Sequence, residues 1–576
     1  MNESKNIFLA VALSALVLLG WTWAADRFFP TATPQTTQIV DGRQVPLPAT
    51  QDPSQAQSPG QPVPTAAAAL RPRAQVLGAT PRVRIQTPSL QGSINLKGAQ
   101  IDDLTLVRQR VTLAKDSPPV RLLSPIGAPG ANIASFGWTG EGVQVPTLAT
   151  VWTSDSPLLA PGKPVTLSST GVDGVRYQLR IAVDDGYLFT VEQSAFNGSG
   201  KPVVLRPIGL VSRASKSADP STWTMHVGPM SVFGSTADYN IDWEDLDESG
   251  RASFNGVTGW LGFTDKYWLT ALAPGKAAMS ADFRRSPSGG YQADYALAPV
   301  VLAPGLTAAT TTRLFAGAKD KKWLDRYEAA GISKLSKSID WGWFEFFMRP
   351  IFDLLMFLFN TLGNFGLAII GLTFIVRLLM FPIAQRQFKS MAAMRKIQPK
   401  LKLVQERFKD DKARQQQEIL KLYQAEKINP AAGCLPILLQ IPVFYALYKV
   451  LMVSVEMRHQ PFFLWIKDLS APDPLTPVNL FGLLNFTPPA YLAIGVLPIL
   501  VGATQWMSMK LNPQPMDPTQ AKIFAIMPWF LVFVMAPFAA GLQLYWMTNN
   551  VLTIAQQWWL YRRFGLHFSD THPVST

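Results

Sequence analysis

An arginine stands at position 377 within residues 366–381, GLAIIGLTFIVRLLMF, a run apolar enough to lie in lipid. A charge at the centre of a membrane helix costs roughly 2.5–3.5 kcal/mol on insertion scales, so it is seldom kept there without a partner or a purpose. Snorkelling is the other reading. Pro382 follows about one turn later, and the long stem can lift the guanidinium to the interface. Further polar side chains share this depth: Gln440, Tyr445 and Tyr448 in one apolar run, and Gln543, Tyr545, Thr548, Asn549, Asn550, Thr553, Gln556 and Gln557 in another. Singly, each reads as an interhelical hydrogen bond of about 0.6 kcal/mol. Together with a cation they suggest a hydrated cavity. No carboxylate shares that depth, so Arg377 needs water, amide oxygens or an acidic group brought by a substrate.

Positioning these residues takes six apolar segments, 7–25, 364–381, 435–455, 491–509, 523–538 and 542–560, against a crossing length of about 20 residues. The last two are joined by a few residues around 537–541 and form a tight hairpin. The first reads as an uncleaved anchor rather than a signal peptide: its n-region is barely basic, its apolar run is long, and Trp21 and Trp23 sit at its outer end. Loop charge sets the orientation. Residues 385–430 carry twelve Lys/Arg against five Asp/Glu, Lys510 and Lys522 bracket another loop, and Arg562-Arg563 follow the last span. The loop 457–490 has only Arg458 and Lys467. Both termini are therefore expected inside and residues 26 to about 350 outside.

The 576 residues are 48% hydrophobic and 16% charged, which suggests a soluble part joined to a membrane part. Much of the net charge of +13 lies in 385–430, where beside spans it reports the cytoplasmic side rather than nucleic acid. A single cysteine, Cys434, excludes a disulfide framework, and histidines at 226, 459, 567 and 572 lack zinc-ligand spacing, so no metal site is expected. No nucleophile elbow, phosphate loop or zinc helix motif occurs, so neither an enzyme nor a cofactor is expected. The acidic cluster 242–250, DWEDLDESG, fails the calcium-loop spacing and is expected to be a solvated loop.

Residues 30–79, rich in Pro, Gln and Ala, read as a disordered linker after the anchor at 1–29. From 80 to 340, short alternating runs such as Val83-Arg-Ile85 and Tyr187-Leu-Phe-Thr-Val191, broken by Gly, Pro, Asn and Asp, indicate a large β-sandwich. It ends in a short helix near 319–330. Residues 341–363 read as an interfacial amphipathic helix, or equally as an aromatic belt leading into the second span. Within 384–430, apolar residues at helical spacing on either side of Lys409-Asp-Asp-Lys412 predict a helical hairpin. It is either a solvated spacer or a docking arm in which Met391 and Met394 offer adaptable apolar contacts.

Thr373-Phe-Ile-Val-Arg377, Pro382, Asn429-Pro-Ala-Ala-Gly-Cys-Leu-Pro436, Gln440-Ile-Pro-Val-Phe444 and Pro461-Phe-Phe-Leu-Trp-Ile-Lys-Asp-Leu-Ser470 together resemble the YidC insertase family, the bacterial Oxa-type insertases. The likeness runs from about 341 to 564, and the exported sandwich behind an N-terminal anchor matches the Gram-negative branch. The fold implied is a polytopic α-helical membrane protein. It has six spans, a five-helix insertase core at 364–564 and a periplasmic β-supersandwich, with a short cytoplasmic tail at 565–576. The resemblance makes Arg377 the groove arginine. It places Thr373, Gln440, Phe444, Tyr545, Trp546 and Asn549 along the path of a nascent segment. The groove would be open to cytoplasm and lipid and closed to the outside. The implied role is to insert, and help fold and assemble, inner-membrane proteins, alone or with the Sec translocon. The implied partners are nascent hydrophobic membrane proteins, the Sec translocon with its accessory subunits, the ribosome and signal-recognition machinery, and the bilayer, with no direct nucleic-acid contact. Two features depart from the family. Tyr545-Trp546 stands where paired tyrosines are frequent, and the tail after Arg563 has no basic run for a ribosome.

With no nucleotide motif, the energy must come from the client: moving an apolar segment into lipid is worth roughly 25 cal/mol per Å² buried. A wet groove shortens the dry path for the polar flank. A small-solute transporter or channel would also place a charge in a cavity, but matched broken helices in repeated halves are not found here.

Overall fold

In the strand Val175–Val183 every second side chain is buried, Val175, Tyr177, Leu179, Ile181 and Val183, while Arg176 and Arg180 are exposed. This is the period of a strand with one face on a core. The computed structural model describes residues 37–40, 43–46 and 70–563, apart from 220–224, 287–288, 343–344, 410, 427–434, 485, 487, 490–492 and 512–517. The expected first span and the tail lie outside the described residues. Strands from 82 to 318 form a nine-stranded and an eleven-stranded sheet. Their pairings are antiparallel except where Arg82–Gln86 meets Leu158–Leu159. The expected sandwich is therefore present.

The two sheets are joined by polar as well as apolar contacts. Gln193, 1% exposed, donates to Gly137 O at 2.8 Å and Ile208 O at 3.2 Å on the opposite sheet. The Tyr295 hydroxyl then bridges Gln193 Oε1 at 3.3 Å and Thr312 Oγ1 at 2.6 Å. Every member has a partner, so the network costs little to bury and resists sliding of one sheet over the other.

Ten α-helices occur among the described residues. In the N-terminal part these are α1 (Arg73–Gly78), α2 (Trp243–Ser249) and α3 (Lys321–Ala329), followed by α4 (Glu345–Leu362). Helix α2 corrects the solvated loop expected at 242–250. Asp242 caps the Asp245 N–H at 2.9 Å, Asp245 returns the bond to Asp242 N at 2.8 Å, and Gly250 ends the turn at φ +73°. Two short strands, Thr37–Val40 and Arg43–Pro46, pair within the stretch expected to be an unstructured linker.

Helix α4 buries Met348, Ile351, Phe352 and Leu355 and leaves Phe346 and Phe357 exposed, an amphipathic pattern. Gly363 (φ +69°) and the cap Asn364, which accepts from Leu367 N at 3.1 Å, turn the chain into α5 (Phe365–Arg407). That helix is continuous through Pro382 for 43 residues, about 64 Å at 1.5 Å per residue. The second expected span and the first arm of the hairpin are thus one rod. The second arm is α6 (Lys412–Ala425), tied back by Lys400–Glu426 at 2.6 Å. The remaining helices are α7 (Leu435–Val453), α8 (Val496–Lys510), α9 (Pro518–Met535) and α10 (Ala540–Arg563). Among the described residues, Phe365–Gln385 is long and apolar enough to cross a membrane, and Gln440–Val453 and Lys522–Met535 are shorter apolar helices.

The sandwich is seated on these helices. Arg458, just past α7, donates to Arg110 O at 2.7 Å and Val111 O at 3.1 Å and lies 5.4 Å from the Trp268 ring. Glu456 accepts from Lys321 N at 3.1 Å, and Lys321 Nζ reaches Asp353 of α4 at 3.1 Å.

Candidate functional site

Helix α10 organises the site, because Tyr545, Asn549 and Thr553 recur every four residues and share one face. Arg377 of α5 reaches this stripe. Its Nε donates to Asn549 Oδ1 at 2.7 Å and its Nη2 to Asn549 O at 3.4 Å and to the Thr553 hydroxyl. Thr553 in turn donates to Asn549 O at 2.6 Å. No carboxylate among the described residues pairs with Arg377. Its positive charge is solvated by neutral oxygens and is not cancelled.

One turn earlier on α10, Tyr545 is 2% exposed and accepts from Gln440 Nε2 of α7 at 2.5 Å. Phe444, one turn after Gln440, meets Trp546 edge-on at 4.8 Å between centroids. Trp546 Nε1 donates to Gln505 of α8 at 3.3 Å, and Asn550 donates to Thr504 at 3.2 Å. Gln543 closes the turn between α9 and α10 by donating to Met535 O at 2.9 Å and Phe538 O at 2.7 Å. One face of α10 thus carries polar groups toward α5 and α7, and its neighbouring face binds α8.

Six of the expected site residues, Arg377, Gln440, Phe444, Tyr545, Trp546 and Asn549, are therefore brought together. Thr373 is on the same helix as Arg377, but it is 1% exposed and its hydroxyl donates to Ile369 O at 2.6 Å, within its own helix. Met391 and Met394 lie in the C-terminal half of α5; their side chains fall outside the described residues. No group of three or more His, Cys, Asp or Glu among the described residues is arranged to hold a metal.

Sequence reasoning passed over Lys449. It sits on α7 with its side chain 2% exposed and meets Asp340 Oδ2 at 3.1 Å. A lysine in an apolar run was the available signal. Its partner lies in the connection before α4, 109 positions away. Above α7, burial, and then the charge of Asp320, push Glu456 up to about 7. Burial pulls Lys319 down to about 8 despite Asp265, Asp340 and Asp219 nearby.

Two family models match the chain: that of the 60Kd inner membrane protein over residues 357–566 and that of the YidC periplasmic domain over residues 82–354. A protein of Zymomonas mobilis called membrane protein insertase YidC is 46% identical over 98% of this chain and 96% of its own. The protein of the same description from Methylorubrum extorquens is 43% identical over 98% of this chain and 96% of its own. A crystal structure of an active YidC insertase also aligns, covering 83% of this chain and 92% of that one at 18% identity and a TM-score of 0.35.

Proposed function

The chain belongs to the YidC family of membrane protein insertases, and we propose that it inserts membrane proteins through the polar site around Arg377. The observation that carries this reading is a cation held by Asn549 and Thr553 with no counter-charge among the described residues. Such a group can exchange a neutral partner for an acidic or polar client flank, gaining a charge-assisted hydrogen bond. An arginine already paired with a carboxylate could not do so cheaply. Binding must stay weak, because the apolar part of the client leaves sideways into lipid, drawn by roughly 25 cal/mol per Å² of buried apolar surface. No nucleotide or covalent step is required of this chain.

In this reading Arg377, Gln440, Phe444, Tyr545, Trp546 and Asn549 line the client's path, with Thr373 stiffening α5 behind it. The groove opens to the cytoplasm and lipid, and the sandwich at 80–340 lies in the periplasm over the core at 364–564. Both termini are cytoplasmic. The hairpin within 384–430 receives emerging segments through Met391 and Met394, and the Sec translocon and the ribosome are the machines beside which it works.

The test is insertion into vesicles holding the purified chain, with a one- or two-span client supplied during translation and protease protection of its translocated tail as readout. Wild type is expected to protect well above empty vesicles, Arg377→Lys to retain much of this, and Arg377→Ala to lose it. Equal protection by all three would remove the arginine from the mechanism.

A further inference from the structure

Helix α7 is gripped from two sides. Gln440, Phe444 and Tyr448, each four residues from the next, face Tyr545, Trp546 and Phe538, the last at 5.8 Å between ring centroids. Lys449 comes nine residues after Gln440, about two and a half turns, and so points to the opposite side of the helix. There its ammonium is buried against Asp340 at 3.1 Å. Asp340 is itself fixed. Its Oδ2 also accepts from the backbone N–H of His226, on the sandwich, at 3.4 Å, and its Oδ1 accepts from Gly342 N at 2.9 Å. Position 342 has φ +69°, and a Cβ there would lie 3.9 Å from Lys449 Nζ and 3.7 Å from the Tyr445 hydroxyl, so the chain bends closely over the ammonium.

Stability alone is a poor reason for this pair. Apolar side chains of similar volume often match or exceed a buried ion pair, whose best-attested use is to fix register and orientation. We propose that Lys449–Asp340 is a positioning element of the insertion site. It sets the rotation of α7 from the outer side, so that Gln440 and Phe444 are presented to the face of α10 that also holds Arg377. It carries that setting from the sandwich through His226. Neither residue touches the client. The inference rests on the groove reading above and adds what holds the groove's third wall in place.

The test uses the full chain in vesicles with two readouts. The first is insertion of a one-span client. The second is thiol cross-linking between Phe444→Cys and Trp546→Cys in a Cys434→Ser background, which reports α7 orientation without requiring activity. Lys449→Met and Asp340→Asn are each expected to slow insertion about five-fold, within the range of coupling changes made by residues away from a ligand. Both are expected to slow the cross-link as well. The exchanged pair, Lys449→Asp with Asp340→Lys, is expected to restore both. If a single variant does not accumulate, Lys449→Met with Asp340→Asn leaves no unpaired charge and takes its place; it is expected to fold and still to cross-link slowly. Wild-type cross-linking in the neutral pair overturns the proposal, as does slowed insertion with unchanged cross-linking. Impaired Arg377→Ala beside normal Lys449→Met would sink this inference alone, whereas normal Arg377→Ala would sink the groove reading and leave the cross-link as a direct measure of α7.

Discussion

Tyr545 and Gln440 show how a polar site survives among apolar helices. The Tyr545 side chain is 2% exposed and its hydroxyl accepts from the amide of the half-buried Gln440 at 2.5 Å, so removing one partner leaves the other unmatched in a largely apolar setting. Tyr545→Phe is expected to destabilise the folded protein by about 1 kcal/mol, at the low end for an orphaned group because membrane hydrogen bonds average about 0.6 kcal/mol. Tyr545→Phe with Gln440→Leu removes both partners and is expected to cost less than either single change. Unfolding midpoints of the three variants in mild detergent, taken as a double-mutant cycle, check this; additive losses would mean that the two groups are not coupled. The need of Arg377 for oxygen partners was legible in the sequence, because a cation in an apolar run must find them; that Asn549 rather than another amide supplies them was not. The orientation of Thr373 was not. A helical threonine can satisfy its hydroxyl on the carbonyl one turn back, as it does here on Ile369, and no spacing rule distinguishes that from facing a groove. Lys449 escaped notice because it lies near the end of a run, where lysine usually snorkels, and because Asp340 is remote in sequence.

At the scale of elements, local chemistry was legible where it is self-contained and misjudged where two signals compete. The loop expected at 242–250 rested on calcium-loop spacing alone and is not observed, because Asp242, Asp245 and Gly250 are the start and stop signals of a helix. Asp242→Ala is accordingly expected to cost about 1 kcal/mol of sandwich stability, measured by thermal unfolding. The expected span at 364–381 and the hairpin within 384–430 were separate segments, yet α5 runs through Pro382, and Phe388 packs against Leu560 and Tyr561 of α10 beyond it. The junction above α7 gives a pH dependence. Glu456 titrates near 7 when folded, above its ordinary value of 4.5, so the folded protein holds this proton more tightly. The stabilisation is full below about pH 4.5 and is lost as pH rises through about 7, worth roughly 1–2 kcal/mol after allowance for partial exposure. Lys319 does not mask it: its depressed value, about 8, changes stability only between there and the usual lysine range. Glu456→Gln keeps an acceptor for the Lys321 N–H, and in thermal unfolding it is expected to flatten the decline between about pH 5 and about pH 8. A slope unchanged by the substitution would place the titration elsewhere.

Across the whole molecule, the sandwich and the helices divide labour in a way that can be tested. The sandwich has the Gln193–Tyr295–Thr312 bridge between its sheets; its buried apolar cluster continues through Leu335, Ile339 and Trp341 into the helices, and polar contacts from Arg458, Glu456, Lys321 and Asp340 join the two as well. The residues proposed to line the client's path lie on α5, α7 and α10. Deleting residues 82–316 spares Arg377 and its partners, and it keeps Lys321 and the Asp340–Lys449 pair, while removing His226 and the carbonyls of Arg110 and Val111 that hold Arg458. The shortened chain is therefore expected to insert a one-span client at a reduced but clear rate, above empty vesicles. Its helical core is expected to unfold at a lower temperature than in the full chain, because Arg458 loses its acceptors. A shortened protein that is folded, embedded and wholly inactive would shift the insertion role to the sandwich, and the polar site around Arg377 would then be no more than helix packing.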